Sequence, residues 1–248
     1  MLEAALEHFG PHHQELRKRL IRSFLTITVT TVIAYLFVDH IVAFCMRPLF
    51  SAYPELQKLV YTKLTEAFIT YIKLSILVGI IVSFPVLIYQ AWMFVAPGLL
   101  DHERRLARII VFWATFLFIG GALFSFFIVL PEMLSFFMSY AGDNLEPMPK
   151  LGLYLTFVAR MILAFGIAFE IPFLMFMTTR GGLVPKDYFR KNRMYFYIAI
   201  VVLAFLLTAG ELTATVLLAF PLFGLYETGI LSSRALPKKE KKDSDQQD

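Results

Sequence analysis

The stretch Ala164-Phe165-Gly166-Ile167-Ala168-Phe169-Glu170-Ile171-Pro172 sits inside an apolar run from about Leu153 to Met177. Such a run is long enough to cross a hydrocarbon core of about 30 Å. Glu170 lies deep within it. An ionisable group at that depth costs about 2.5–3.5 kcal/mol on insertion scales. It is therefore held neutral, or turned towards protein or water. Pro172 is expected to break the helix just after it. Two readings stand together. Glu170 is a protonated side chain satisfied by a neighbouring helix, or it lines a cavity where a polypeptide or solute enters the membrane.

The composition around this stretch agrees with a membrane setting. Of 248 residues, 58% are hydrophobic and 17% charged, with mean hydropathy +0.67. Soluble domains run at about 45–50% apolar and 25% charged. The chain reads as an all-α integral membrane protein. Cys45 is the single cysteine, so an intramolecular disulfide is excluded. The first twenty residues carry charges and histidines without an apolar core, so no cleavable leader is expected there.

Six apolar runs follow one another: 23–38, 74–95, 109–130, 153–177, 194–207 and 212–230. The fifth is short, about 21 Å as a helix, and the fifth and sixth are read as the short spans. They form one membrane domain over residues 1–237, and the charged tail 238–248 reads as disordered. No internal repeat is visible, against an inverted-repeat transporter. Lysine and arginine counts set the orientation. Seventeen of the 23 positives fall in the amino segment, the second-to-third loop, the fourth-to-fifth loop and the tail. Both termini are expected in the cytoplasm. The external segment 39–73 is expected to form short helices capping the outer face, with Thr65 as cap of the second span.

Two charged stretches stand beside membrane entrances. His12-His13-Gln14-Glu15-Leu16-Arg17-Lys18-Arg19 leads into the first span. Read plainly, it is an amphipathic helix with a basic face for anionic lipid and a Glu15–Arg19 pair at i,i+4 spacing. Pro97-Gly98 then closes the second span, and His102-Glu103-Arg104-Arg105 opens the third. Glu15 and Glu103 would suit a ligand carrying neighbouring arginines, because guanidinium–carboxylate bonds can be bidentate. His8 and His12 have helical spacing but no further clustered ligand, so no metal is expected. No nucleotide fingerprint, hydrolase nucleophile or nucleic-acid signal appears. The expectation is a protein that is not an enzyme and carries no cofactor. A solute or proton-coupled transporter built on Glu170 is the alternative. The missing repeat and the two cytoplasmic carboxylates argue against it.

Taken together, these motifs resemble the TatC family, the multispanning receptor subunit of the twin-arginine protein translocase. The matching residues are Glu15 to Arg19, Phe84 to Gln90, Phe94 to Pro97, His102 to Arg105, Ala164 to Pro172 and Leu217 to Pro221. They run from about residue 12 to 231 in the family's order and spacing. The resemblance implies six spans in a curved, concave wall in a bacterial-type cytoplasmic membrane. It implies binding of twin-arginine signal peptides of folded cargo, and export driven by the proton-motive force. Glu15 and Glu103 would receive the arginine pair, with Arg17, Arg19, Phe94 and Arg105 around them. Pro48 would shape the outer cap, and Glu170 would be the polar point of the concave face. Thr208, Glu211 and Thr215 would help dock single-span TatA and TatB type subunits, and self-association is implied. The chain departs from the family at His13, Ala67, Ala209-Gly210-Glu211 and Thr215. Glu211 keeps the carboxylate with one more methylene.

Overall fold

The computed structural model describes residues 2–54, 59–60, 63, 65–95, 101–139, 148–208, 210 and 212–234; for 2–13, 95, 101–107 and 234 it describes the backbone alone. The described residues are helical apart from turns and one isolated bridge between Val60 and Lys150. The helices are α1 (Leu2–Leu36), α2 (Val38–Ala52), α3 (Glu66–Val95), α4 (Asp101–Phe124), α5 (Leu130–Ser139), α6 (Leu151–Arg180), α7 (Tyr188–Lys191), α8 (Arg193–Leu207) and α9 (Leu212–Arg234). A π-helical segment, Ser125–Val129, joins α4 to α5. Five segments are long and apolar enough to cross a membrane, and α8 is a shorter apolar helix of 15 residues. The exposed leucines, isoleucines, valines and phenylalanines of these helices suit a lipid surround.

Several boundaries differ from the sequence reading. The first helix begins at Leu2, not Ser23, because its amino-terminal part is polar and leaves no apolar run to detect. It ends at Leu36, and Phe37 (φ −109°, ψ 16°) turns the chain into α2 before Asp39 and His40. Within the segment expected to form short helices, residues 38–52 make one helix of 15 residues that passes through Pro48. Pro172 does not break α6, which runs on to Arg180. Proline also sits inside α3 at Pro85 and α9 at Pro221. A proline removes one backbone donor, and neighbouring helices can hold the helix through that loss. The third apolar run likewise continues past Pro131. There the π turn, with Leu130 N–H donating to Ser125 O, takes up an extra residue just before the proline. Pro97-Gly98, Glu211 and the tail lie outside the described residues.

The chain divides into two compact units, residues 1–169 and 170–248. In the first, α2 lies on α3, α5 and α6 over a buried cluster that includes Leu49, Leu74, Phe126, Leu130, Leu155 and Val158. Tyr154 donates its hydroxyl to the Cys45 carbonyl at 2.8 Å, fixing cap to span. Cys45 lies outside the spans, and burial pushes its thiol up to about 11. Val60 N–H donates to Pro149 O, and Leu151 N–H donates back to Val60 O at 3.0 Å, tying the two inter-span segments together. Thr65 contributes its carbonyl to Ile69 N–H at the start of α3. The first part of α6 packs on α4 where glycines allow it. A Cβ on Gly121 would stand 2.4 Å from the Phe165 carbonyl oxygen, and one on Gly166 would stand 2.6 Å from the Phe118 ring.

In the second unit α8 and α9 form a hairpin. Gly210, at φ 87°, makes its turn, with its N–H donating to Phe205 O at 2.9 Å. Only glycine adopts that backbone without strain. Gly229 brings α9 against α6, where a Cβ would stand 3.1 Å from Pro172 Cα.

Candidate functional site

The first unit's α1 and α3 build the frame of the site. Thr30 Oγ1 lies 2.9 Å from the Gly79 carbonyl oxygen and 2.7 Å from Ser83 Oγ. A Cβ on Gly79 would fall 2.9 Å from the Thr31 backbone, so glycine sets this approach. Val38, just past the end of α1, shares a buried cluster with Leu74 near the start of α3, while Thr30, further back, meets Gly79 and Ser83, so the two helices run in opposite directions. From this contact, Glu15 is fifteen residues back along α1, and Phe94 is fifteen residues forward along α3. At 1.5 Å per residue both lie about 22 Å away, at the same end.

At that end Glu15 and Arg19 form an ion pair. Arg19 Nε donates to Glu15 Oε1 at 3.2 Å, and Nη2 contacts the same oxygen. The Arg19 side chain is 14% exposed and that of Glu15 35%. Arg17 and Lys18 are exposed. Phe94 is half-buried in the last turn of α3. Glu103 and Arg105 lie in the first two turns of α4. Their side chains are outside the described residues, but their backbone is fixed to α3 through α4, where Phe84 and Phe118 stack with centroids 3.7 Å apart. The register of α1 and α3 thus places Glu15, Arg17, Arg19 and Phe94 toward one end of the first unit, with the start of α4 joined to the same frame.

Pro48 does not join this group. It is buried inside α2, at the other end of the unit. Glu170 opens the second unit and is 5% exposed. Thr208 and Thr215 are both buried there, and their hydroxyl oxygens lie 2.8 Å apart. Among the described residues no group of three metal-ligating side chains comes together.

Sequence reasoning missed a polar cluster in the second unit. Arg193 Nη2 donates to Glu227 Oε2 at 3.1 Å, and the Tyr197 hydroxyl donates to Glu227 Oε1. Beside it Tyr226 donates to the Phe189 carbonyl at 2.8 Å. Its signal was an ionisable residue within the last apolar run, Glu227, with a basic residue opening the preceding helix. The glycine contact at Gly79 was also missed. Gly79 and Ser83 do carry the small-xxx-small spacing of close helix pairs.

Comparison with known proteins adds to this geometry. The profile of the family described as "Sec-independent protein translocase protein (TatC)" matches residues 11–221. A protein of that name from Desulforapulum autotrophicum is 40% identical over 240 residues, covering 97% of this chain and 88% of the relative. The one from Aquifex aeolicus is 34% identical, covering 93% and 96%. The one from Escherichia coli K12 is 33% identical, covering 90% and 86%. A crystal structure described as the twin-arginine translocase receptor TatC superposes with TM-score 0.82 at 34% identity, covering 90% of this chain and 98% of that one. A second, in DDM, gives 0.81 at 33% identity, covering 89% and 98%.

Proposed function

This chain belongs to the TatC family, and on that premise we propose that it is the signal-peptide receptor and core subunit of a twin-arginine protein translocase. It exports folded proteins on the proton-motive force and acts as a transport subunit, not a catalyst. The basic part of a twin-arginine signal peptide pairs with Glu15 and Glu103, beside Phe94 and among Arg17, Arg19 and Arg105. The apolar part of the peptide then enters the membrane along the face that carries Glu170.

The observation that carries this reading is the equal 22 Å register. It puts a carboxylate of α1 and an aromatic of α3 at one end of the helix pair, with the start of α4 joined to that pair. Carboxylates at that end suit planar guanidinium groups, which can bond in two places at once. The Lys and Arg distribution supports placing this end, and both termini, in the cytoplasm of a cell with a bacterial-type inner membrane. Single-span TatA and TatB type subunits dock on α8 and α9, near Thr208, Glu211 and Thr215, and Pro48 shapes the outer cap. One wall of 248 residues cannot enclose a folded cargo, so these partners and further copies of the chain complete the passage.

Photocrosslinking tests the reading. A photoreactive residue at Phe94 should capture a signal peptide with its arginine pair, and capture should fall about tenfold when the pair is changed to lysines. Glu103→Ala should lower capture while the protein still inserts. Equal capture of both peptides would reduce the patch to general charge attraction. Normal capture and export by Glu103→Ala would remove Glu103 from the site.

A further inference from the structure

We propose that Arg19 is a resident competitor for Glu15 and sets the affinity threshold that a signal peptide must pass. The inference rests on reading the Glu15 end of the first unit as the signal-peptide site. Its observation is that the carboxylate is already engaged. Two nitrogens of the Arg19 guanidinium meet Glu15 Oε1, and Oε2 has no partner among the described residues. The occupant comes from the same helix, one turn on, so its local concentration is high and constant.

The geometry makes this more than a solvated surface pair. An exposed pair at this spacing is weak and would shift an apparent Kd by only about twofold. Here the Arg19 side chain is 14% exposed, so its stem is packed away and its head is held on the carboxylate. Arg17 stands two residues from Glu15 and faces another side of the helix. Lys18 is exposed. Among the described residues Arg19 is therefore the cation of this helix that occupies Glu15.

An incoming arginine must displace Arg19 from Oε1 or settle for Oε2 beside a like charge. Displacement by another guanidinium exchanges one forked contact for an equivalent one. A lysine ammonium offers a point charge and cannot restore the fork. Competition raises the apparent Kd of every ligand that needs this carboxylate by one common factor, the inverse of the fraction of Glu15 that is free. The ratio of arginine-pair to lysine-pair affinity is thus unchanged. The threshold moves, and the weaker lysine-pair ligand is the one that drops below useful occupancy.

The test uses purified full-length protein in lipid nanodiscs and fluorescent synthetic signal peptides with an arginine or lysine pair, read by anisotropy. Arg19→Gln should tighten both peptides in parallel, by about three- to tenfold, with their ratio unchanged. Arg19→Lys keeps the charge but gives up the fork, and should tighten both by a smaller factor. Lys18→Gln removes the same charge from an exposed neighbour and should change binding less than about twofold. Glu15→Gln should weaken binding and abolish any gain from Arg19→Gln.

Weaker arginine-pair binding by Arg19→Gln would make Arg19 a contact for the peptide and overturn the proposal. Equal tightening by Lys18→Gln, with none from Arg19→Lys, would reduce the effect to general charge and overturn it too. If Glu15→Gln weakens binding and neither Arg19 variant tightens it, the competitor falls and the site stands. If Glu15→Gln leaves binding unchanged, the site reading itself falls, and the proposal with it.

Discussion

Between α1 and α3 the contact is made by short groups, the Thr30 and Ser83 hydroxyls, and by backbone. The Thr30 hydroxyl lies against the Gly79 carbonyl, and the missing side chain of Gly79 lets the Thr31 main chain approach. Between α8 and α9 side chain meets side chain: Thr208 with Thr215, and Arg193 and Tyr197 with Glu227. The first pair of helices is far apart in sequence and must be brought into register by its own contact. The second is a hairpin whose register a tight turn at Gly210 already sets. Without a hydrophobic drive between helices in lipid, close packing must supply what holds the distant pair. The hairpin can carry longer polar side chains because its chain connection does part of that work.

The contrast breaks first at Gly79. A valine there would drive its Cβ to within 2.9 Å of the Thr31 backbone, which cannot swing aside as a side chain could. Gly79→Val should destabilise the α1–α3 pair by about 3 kcal/mol. The purified protein should melt well below wild type, and α1 should be cut by protease ahead of the rest. Signal-peptide capture at Phe94 should fall with it, since the register that gathers Glu15 and Phe94 starts from this contact. A Gly79→Val protein with wild-type melting and capture would show that the seam does not set the register.

The apolar runs were legible because each is continuous and the middle three are long, and the depth of Glu170 could be seen without any structure. The amino-terminal half of α1 was legible only in part: an amphipathic helix could be read over 12–19, and no apolar run carried it back to Leu2. The course of α6 through Pro172 was misread from a local rule. Proline disfavours a helix interior, but loss of one hydrogen bond does not end a helix held along its whole length. Of the site, Glu15 and Arg19 could be paired from spacing alone. That they share an end of the helix pair with Phe94 could not, because it depends on where α1 crosses α3, at Thr30, Gly79 and Ser83. Glu103 was read from its charge beside a membrane entrance and Arg105 through family resemblance, and the backbone of α4 is what ties both to the frame.

A second, smaller effect sharpens the hairpin side. Thr208 and Thr215 are buried at 7% and 4% exposure, and their hydroxyls share one contact. A double-mutant cycle with Thr208→Val and Thr215→Val should give a coupling of about 0.6 kcal/mol, the average for such contacts between membrane helices. Thermal melts of the four proteins measure it. A coupling near zero would mean that the turn alone holds this end of the hairpin.

The smallest expected effect lies at the hairpin's other end. The Arg193 and Glu227 side chains are 41% and 37% exposed, so solvent screens their pair. Glu227→Gln removes the charge but leaves an oxygen to accept from Tyr197. It should cost about 0.5 kcal/mol at low salt and less as salt rises. Tyr197→Phe removes the hydroxyl and keeps the ion pair, so its cost should not vary with salt. Melting both variants at two ionic strengths separates the contributions. If Glu227→Gln shows no salt dependence, the carboxylate acts here only as an acceptor. The hairpin would then be held, as α1 and α3 are, by hydrogen bonds and packing without charge.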